Sequence, residues 1–352
     1  MSAPNDAAVS TPITSAELSA VTLYLVDNGL ANGPVRAAAI GDGHSNITVA
    51  ITGPRTDLVL RRPPRGPLPP SAHDMIREAR ILRGLRETDV AVPAVLDVCA
   101  DPSVIGVPFY MMERVMGHVV AETVRPELDT EDGRHRMGSE LIDALVRIHA
   151  VDWQAAGLFD IGRPADYLER QLRRFAGLWQ HNHTWEVPAI DQIARWLEST
   201  RPAERDICVV HGDYRLDNVM FTPTTPPSIS AVFDWEMATL GDPLADVGYM
   251  SMLWVDAEDP PLGGFEIYGV TREPGFHRRS ELLDRYTSGS GRDLSGIAWY
   301  QVLALWKAAI FMEGNYKRAL TGLTDDPFLK ASVDGVHELC GRATRIIGER
   351  CV

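Results

Sequence analysis

The fold of this chain is decided by two short segments, VVHGDYRLDNV at residues 209–219 and AVFDWE at residues 231–236. Each segment starts as an apolar run that is typical of a β-strand, and each then reaches an aspartate, Asp213 or Asp234. Asn218 follows five residues after the first aspartate. The pattern predicts that these three polar side chains are delivered to one cleft.

The three side chains have the chemistry that phosphoryl transfer requires. That reaction asks a protein mainly to position its reactants and to neutralise charge around the transferred group. We interpret Asp213 as the catalytic residue, the base that accepts the proton of an attacking hydroxyl group. We interpret Asn218 and Asp234 as metal ligands, because Mg²⁺ prefers hard oxygen ligands and keeps other positions for water and nucleotide phosphates. We expect His211 to brace the loop through hydrogen bonds and do not count it as catalytic.

Composition indicates a globular protein. The 352 residues, 45% of them hydrophobic, suffice for two lobes with separate cores. No window approaches about 20 consecutive apolar residues, so we expect no membrane span. Residues 1–14 lack the basic and then apolar layout of a signal peptide, so we expect a cytoplasmic protein. The cysteines are widely spaced and predict neither a zinc site nor a disulfide framework; they are Cys99, Cys208, Cys340 and Cys351.

The charge distribution limits the classes of partner. A net charge of −14 argues against nucleic acid, because an acidic surface repels its phosphates. Residues 1–117 carry 10 arginines and 12 acidic residues, whereas residues 118–352 carry 24 basic and 36 acidic residues. The acidity of this second part fits either a cationic substrate or the ordinary requirement for solubility. Lysine occurs only at Lys307, Lys317 and Lys330.

The first part of the chain is rich in predicted strands. Residues 15–28 predict an amphipathic helix that ends at Gly29, and a capping pattern of Ser71 and Asp74 precedes a second helix through residues 76–85. An antiparallel sheet is predicted from strands at residues 35–40, 47–52, 58–62, 95–99 and 107–112.

The second part of the chain is mainly helical. We therefore predict an α+β fold, with a small five-stranded N-lobe at residues 1–113, a hinge at residues 114–117 and a larger C-lobe at residues 118–352. The C-lobe helices are predicted at residues 134–149, 165–181, 189–199, 243–253, 278–287, 296–319 and 328–347.

Four motifs relate the chain to a known family. They are LRRPP at residues 60–64, PSAHD at 70–74, HGDYR at 211–215 and DWEMATLGDPLAD at 234–246. Over roughly residues 30–320 the chain resembles the aminoglycoside phosphotransferase and choline kinase-like superfamily, and within it the kinase domain fused to, or encoded beside, acyl-CoA dehydrogenases. The resemblance implies a protein-kinase-like bilobal fold and transfer of the γ-phosphate of ATP, with Mg²⁺, to a hydroxyl group. It also implies that Asp246 buttresses the catalytic loop.

The resemblance assigns nucleotide contacts to the N-lobe. The segment GDGHSN at residues 41–46 lies where a phosphate-covering loop belongs, with Gly43, Ser45 and Asn46 as candidate phosphate contacts, although Asn46 stands where a final glycine is usual. The backbone around Met112, Glu113 and Val115 is expected to contact adenine at the hinge.

An arginine stands where the third strand of a kinase normally carries a lysine. Residues 1–306 contain no lysine, and Arg61 falls at that position, with Glu78 on the following helix as its expected partner. Arginine can hold phosphate in a bidentate fork. Its neighbour Arg62 is expected in solvent or in a surface ion pair.

Two classes of hydroxyl acceptor stay open. A hydroxyacyl-type substrate, such as a CoA thioester, would need cations such as Lys317 and Arg318, and a functional link to an acyl-CoA dehydrogenase would follow. An amino-alcohol would need carboxylates, and those available are Asp256, Glu258, Asp259 and Glu313. Aromatic and polar residues repeat at helical spacing in the same region, as core or as a pocket wall; they are Trp306, Phe311, Asn315 and Tyr316.

A second hypothesis is a catalytically weak, nucleotide-binding pseudokinase scaffold, and the arginine at position 61 is its support. A serine hydrolase is disfavoured, because residues 289–291 have the wrong register for a nucleophile elbow and no strand precedes them.

Overall fold

The computed structural model describes residues 13–40, 46–65, 73–204, 206–260, 269–320 and 333–350. The chain divides into two compact units. The first unit comprises residues up to 87 together with 92–116, and the second comprises residues 88–91 and 117 onwards.

The first unit is built on a five-stranded antiparallel sheet. Its order is β1-β2-β3-β5-β4. The strands are β1 (Arg36–Ala39), β2 (Ile47–Gly53), β3 (Thr56–Arg62), β4 (Val95–Cys99) and β5 (Phe109–Glu113). The predicted sheet is therefore confirmed. The fifth strand begins two residues later than expected, directly after Pro108, whose missing N–H cannot join a ladder.

Side-chain caps fix where the two helices of this unit begin. In α1 (Ser15–Asp27), Thr14 accepts from the Glu17 N–H while the Glu17 carboxylate accepts from the Thr14 N–H. In α2 (Met75–Arg86), the Asp74 side chain accepts from the Arg77 N–H. Asp74 therefore acts as the N-cap of α2, and the predicted partner Ser71 lies outside the described residues.

Arg62 corrects a prediction. We expected it at the surface, but its side chain is only 4% exposed, and its Nη1 atom lies 2.6 Å from Glu17 Oε1. The same carboxylate meets Arg65 at 2.5 Å. Burial alone would raise the pKa of Glu17, but hydrogen bonds from Thr14, Arg62 and Arg65 outweigh it and lower the pKa to about 2. The ion pair thus ties β3 to the start of α1.

The second unit combines short strands with helices. A two-stranded sheet pairs β7 (Cys208–Val210) with β10 (Thr239–Gly241), and a three-stranded sheet has the order β6-β8-β9. The latter contains β6 (His118–Val119), β8 (Val219–Phe221) and β9 (Ile229–Val232). The helices are α3 (Glu131–His149), α4 (Tyr167–Asn182), α5 (Pro188–Ser199), α6 (Leu244–Leu253), α7 (Arg279–Ser290), α8 (Ile297–Leu320) and α9 (Val333–Arg350).

The core of the second unit surrounds α8. Trp299 and Trp306 are buried in it, and their indole N–H groups donate to the Leu197 and Ile190 carbonyl oxygens of α5. Buried indoles satisfied in this way both fill volume and fix orientation. Within the described ranges, no helix combines the length and apolar composition that crossing a bilayer would need. Cys99, Cys208 and Cys340 are buried free thiols.

Candidate active site

A tight turn carries the chain from β7 into the catalytic loop. Gly212 has a φ of +85°, and a Cβ at this position would lie 2.7 Å from the Met237 carbonyl oxygen. Both the left-handed backbone and the close approach therefore require glycine here. A 3₁₀ turn, Leu216–Asn218, then leads directly into β8.

The Asp213 carboxylate is held on both of its oxygens. The Tyr249 hydroxyl donates to Oδ1 at 2.6 Å, and Asn218 Nδ2 donates to Oδ2 at 3.0 Å. The same Asn218 nitrogen donates to the Asp213 carbonyl oxygen at 2.8 Å. Arg215 Nε lies 3.2 Å from Oδ2, at ion-pair distance. These contacts fix the orientation of a carboxylate that is still partly exposed, which is what a base needs to meet a substrate.

His211 braces the loop, as predicted. Its ring is fully buried, Nε2 donates to the Phe233 carbonyl oxygen at 2.8 Å, and Nδ1 accepts from the Asp213 N–H at 3.3 Å. This pattern requires the tautomer with its proton on Nε2. Both ring nitrogens are thus engaged in holding the loop, and neither is available to a substrate.

Asp246 anchors the turn from beneath. Its Oδ2 accepts from the His211 N–H at 2.7 Å, and its Oδ1 accepts from the Gly212 N–H at 2.8 Å. His149 Nε2 donates to the same Oδ2 at 3.2 Å, while its Nδ1 accepts from the Tyr286 hydroxyl at 2.7 Å. The chain of bonds connects α3, α6, α7 and the catalytic turn, which is the buttressing role implied for Asp246.

Burial and hydrogen bonding oppose each other at this carboxyl. Burial would raise the pKa of Asp246, but the His149 hydrogen bond, the nearby imidazoles and the Gly212 N–H outweigh it and hold the pKa below its ordinary value. Burial dominates for His149 and lowers its pKa. The pair is therefore an ionised carboxylate that accepts from a neutral imidazole.

Asp234 lies beside Asn218 because the backbone between them is pinned. The Phe233 N–H donates to the Asn218 carbonyl oxygen at 2.9 Å, and the Phe233 carbonyl accepts from His211. Asp234 then adopts φ 62° and ψ 59°, a left-handed conformation that is uncommon for a residue other than glycine. Such a conformation persists only where the surroundings impose it, and here it determines the direction of the carboxylate.

The donor set fits Mg²⁺. Asn218 gives its amide protons to Asp213, which leaves its amide oxygen for a cation, and Asp234 supplies a carboxylate. Within the described ranges no group of three His, Cys, Asp or Glu side chains could hold a metal ion. Two hard oxygen ligands suit an ion that shares its coordination sphere with water and phosphate.

The nucleotide candidates of the first unit are partly described. Arg61 Nε donates to Glu78 Oε2 at 3.1 Å, so the predicted ion pair is present, and both side chains are buried. Asn46 is buried, and its Oδ1 lies 2.8 Å from His73 Nδ1. Gly43 and Ser45 lie outside the described residues.

The expected hinge contacts lie at the end of β5. Met112 is buried and pairs with Val59 of β3. The Glu113 N–H donates to the Ala94 carbonyl oxygen at 2.9 Å, and the Ala94 N–H donates to Glu113 Oε1 at 2.9 Å. Val115 follows as a half-buried residue outside regular structure.

The acidic residues expected to bind an amine are already engaged. Arg279 pairs with Asp259 and lies 3.4 Å from Asp256. Arg278 lies 2.9 Å from Glu258. Glu313 is fully buried and accepts from the Thr184 N–H and hydroxyl.

Lys317 and the aromatic residues that were candidates to contact the acceptor lie in different surroundings. Lys317 Nζ donates to the His181 carbonyl oxygen at 2.5 Å. Trp306 belongs to the core, Phe311 is 44% exposed, and the ring of the half-buried Tyr316 lies 5.1 Å from that of Trp185. The predicted stripe is thus core at one end and surface at the other.

Sequence reasoning missed three polar groups around the loop, Tyr249, His149 and Lys307. Tyr249 had a usable signal, because it lies three residues after Asp246 on α6 and therefore on the same helix face. His149 and Lys307 reach the loop only through tertiary packing. Lys307 lines a cavity of about 10 Å³, the size of one water molecule, together with Gly212, Asp246 and Tyr249.

Comparison with known proteins agrees with this geometry. Residues 36–282 match the model of a family described as the phosphotransferase enzyme family. The chain is 36% identical over 292 residues to acyl-CoA dehydrogenase family member 10 of Mus musculus, covering 82% of this chain and 27% of that protein. It is 31% identical over 314 residues to acyl-CoA dehydrogenase family member 11 of Gallus gallus, covering 87% of this chain and 39% of that protein.

A solved structure extends the likeness to the fold. The crystal structure of a proposed aminoglycoside phosphotransferase from Ralstonia eutropha is 30% identical, with a TM-score of 0.80, and the match covers 94% of this chain and 98% of that one. The predicted kinase-like α+β fold is therefore confirmed. The chain spans well under half the length of the dehydrogenase-named relatives, so the match concerns one part of those proteins.

Proposed function

The chain belongs to the phosphotransferase enzyme family, which acts on hydroxyl groups of small molecules, and on that premise we propose an ATP- and Mg²⁺-dependent kinase. The observation that carries the proposal is the Asp213 carboxylate, held by Tyr249 and Asn218 and still partly exposed. Because its orientation is already fixed, this carboxylate can accept the proton of a hydroxyl group without reorganising.

In the proposed phosphoryl transfer, Asp213 is the proton acceptor. The acceptor oxygen forms a bond to the γ-phosphorus as the bond from that phosphorus to the β,γ-bridging oxygen breaks. The hydroxyl proton passes to Asp213, ADP leaves, and the carboxylate then returns its proton to solvent.

Each unit has its own candidate groups for a bound nucleotide and its metal ion. Asn218 and Asp234 would hold Mg²⁺, which when bound neutralises the phosphate oxygens. In the first unit, Glu78 orients Arg61, and we assign that guanidinium to the nucleotide phosphates as an adapted replacement for lysine. Asn46, Gly43 and Ser45 complete the proposed phosphate contacts, and the backbone of Met112, Glu113 and Val115 is proposed for adenine.

The acceptor proposed is a hydroxyacyl-type compound. Its support is the likeness to relatives whose names denote acyl-CoA dehydrogenases, together with the engagement of the acidic residues that an amino-alcohol would need. A functional link to such a dehydrogenase follows as part of the proposal. We also propose a cytoplasmic location, since the described cysteines are free and buried.

The test is transfer of labelled γ-phosphate from ATP and Mg²⁺ to hydroxyacyl-CoAs, aminoglycosides and choline-like alcohols. Asp213→Asn should reduce turnover at least about a thousandfold and leave nucleotide affinity within about threefold. Asp191→Asn is the matched control, because it makes the same change at an exposed aspartate of α5. It should retain most of the activity.

The pseudokinase alternative makes the opposite prediction. Arg61 in place of lysine favours it, and it requires nucleotide binding without Asp213-dependent transfer to any acceptor. That result would replace the kinase by a scaffold.

A further inference from the structure

A lysine beside the catalytic loop has no role in the transfer described above. Lys307 lies within α8 after the buried Trp306, and its Nζ atom is 4.9 Å from the centroid of the Phe175 ring. In the part of the chain that the structure describes, no carboxylate forms an ion pair with it. Burial, together with the positive charge of Arg174, lowers the pKa of Lys307 to about 8, against the opposing effect of the Asp246 and Asp213 carboxylates. The fold thus desolvates an ammonium group without pairing it.

The Lys307 ammonium group shares a small cavity with Tyr249, which holds the base Asp213. Lys307 lines the same small cavity as Gly212 and Tyr249, and the Tyr249 hydroxyl donates to Asp213. Lys307 also interacts electrostatically with Asp213 and Asp246. Tyr249 therefore stands between the two groups, since it lines the cavity with Lys307 and donates to Asp213.

A second cation and an exposed aromatic ring continue from this point. The Arg174 guanidinium carbon lies 5.9 Å from the same Phe175 centroid, and Arg174 is exposed at the surface of α4. The Phe311 ring packs edge-on against Phe175 at 5.0 Å and is 44% exposed. One turn along α8 from Lys307, the surface thus offers apolar contact beside two positive charges.

This combination favours an anionic ligand over a cationic one. A partly desolvated charge is unfavourable unless an opposite charge lies close to it. Within the described residues neither Lys307 nor Arg174 forms an ion pair, although Asp213 and Asp246 act on Lys307 at longer range. Asp256 and Asp259 are paired with Arg279 and are thus engaged within the protein. On α8 itself, Glu313 accepts from Thr184 through Oε1, while its buried Oε2 has no hydrogen-bond partner among the described residues.

We propose that Lys307 and Arg174 bind an anionic group of the acceptor, so that the acceptor is a hydroxylated carbon chain that carries a carboxylate or a phosphate. The inference rests on the proposed kinase function and specifies its substrate class. Phe311 provides the apolar contact for the chain. The anion has two sources, the carboxylate of a free hydroxy acid or the phosphates of its CoA thioester, and the experiment separates them.

Three acceptors with one carbon skeleton test the proposal: 3-hydroxyhexanoate, 3-hydroxyhexanoyl-CoA and the neutral 1,3-hexanediol. Lys307→Met keeps the length of the side chain over Phe175 and removes its charge. We expect it to raise KM at least about tenfold for the anionic acceptor that the wild type uses, with the KM for ATP and for the diol unchanged. Lys307→Arg should restore most of the affinity. The acceptor whose KM rises, either the free hydroxy acid or its CoA thioester, identifies the source of the anion.

A matched pair of substitutions on α4 tests the proposal at exposed side chains, where loss of core packing does not contribute. Arg174→Gln should raise KM for the anionic acceptor about threefold or more, whereas Arg173→Gln, the same change at a side chain 72% exposed and paired with Glu169, should not. Equal effects of Lys307→Met on the diol and the anionic acceptors would overturn the proposal. A loss confined to kcat would also overturn it, because Lys307 would then act on the transferred group.

Binding separates this inference from the proposed function. Calorimetric titration of 3-hydroxyhexanoate and its CoA thioester into the Asp213→Asn protein with ADP and Mg²⁺ requires no turnover. Binding that Lys307→Met weakens supports the anion site even where no transfer is detected. No binding, or binding that the substitution leaves unchanged, refutes the anion site while the kinase assay stands by itself.

Discussion

Asp246→Asn is the most informative perturbation of the catalytic turn. The carboxylate accepts three hydrogen bonds, from the His211 and Gly212 N–H groups and from His149 Nε2. Asparagine retains only one side-chain oxygen, so its amide nitrogen must face at least one of these donors. The variant loses charge-assisted bonds of about 1.5–3 kcal/mol each and leaves a buried donor unpaired at about 1–3 kcal/mol. Allowing for relaxation, we expect about 2–5 kcal/mol of destabilisation.

A matched control isolates the buried bonds from the helix dipole. Asp246 lies in the first turn of α6, where any carboxylate gains from the dipole, and Asp191 lies in the first turn of α5 but is exposed. Asp191→Asn should cost only about 0.3–1 kcal/mol. Urea unfolding followed by circular dichroism and tryptophan fluorescence measures both changes. If the two variants unfold at the same urea concentration, the buttress argument is wrong.

The difference in unfolding free energy between the Asp246→Asn variant and the wild type should disappear in acid. The folded-state pKa of Asp246 is lowered, so its contribution to stability is present above the unfolded value of about 3.9 and is lost as pH falls through the folded value. We therefore expect the difference in unfolding free energy to be constant above about pH 5 and to shrink below about pH 4. A difference that grows in acid would contradict this sign. At neutral pH, kcat should also fall, because the turn that carries Asp213 loses its anchor.

Three further predictions address the nucleotide and the acceptor. Asp234→Asn should weaken Mg²⁺-dependent ATP binding, measured by calorimetry, about tenfold or more, and unchanged affinity would remove Asp234 as a ligand. Arg61→Lys should lower kcat/KM for ATP, because the shorter point charge breaks the Glu78 geometry; improved turnover would show that arginine is not an adaptation. KM for the anionic acceptor should rise above about pH 8, where Lys307 loses its proton, while Lys307→Arg should stay flat to about pH 10.

Local sequence patterns predicted the parts of the site that lie close together in the chain. The Asp213 to Asn218 spacing, the apolar run before Asp234 and the five-strand pattern each depend on a few adjacent residues. The Arg61–Glu78 pair was expected from the resemblance to kinases, because Arg61 stands where a kinase carries a lysine that pairs with a helix glutamate, and the ion pair is present. For the other features, residue type and spacing alone indicated the structure or the chemistry.

The features that could not be predicted from the sequence depend on contacts between residues far apart in the chain. Arg62 is buried because it meets Glu17, which lies 45 residues earlier, and no local pattern distinguishes it from a surface arginine. His149 reaches Tyr286 across 137 residues and Asp246 across 97. The periodicity of α3 shows that His149 lies on the buried face, but not what it contacts there.

The substrate question shows why net charge is a weak guide to function. The chain is acidic overall, and this acidity lies mainly after residue 117, which taken alone would favour a cationic acceptor. In the folded protein the relevant acidic side chains near α7 are paired with Arg278 and Arg279 and therefore present little net charge to a ligand. Around the Phe175 ring the local charge is positive, because Lys307 and Arg174 both lie against that ring. Since screening weakens interactions beyond about 8–10 Å, we expect these two charges to matter more than the distant acidic surface to a ligand bound at that ring.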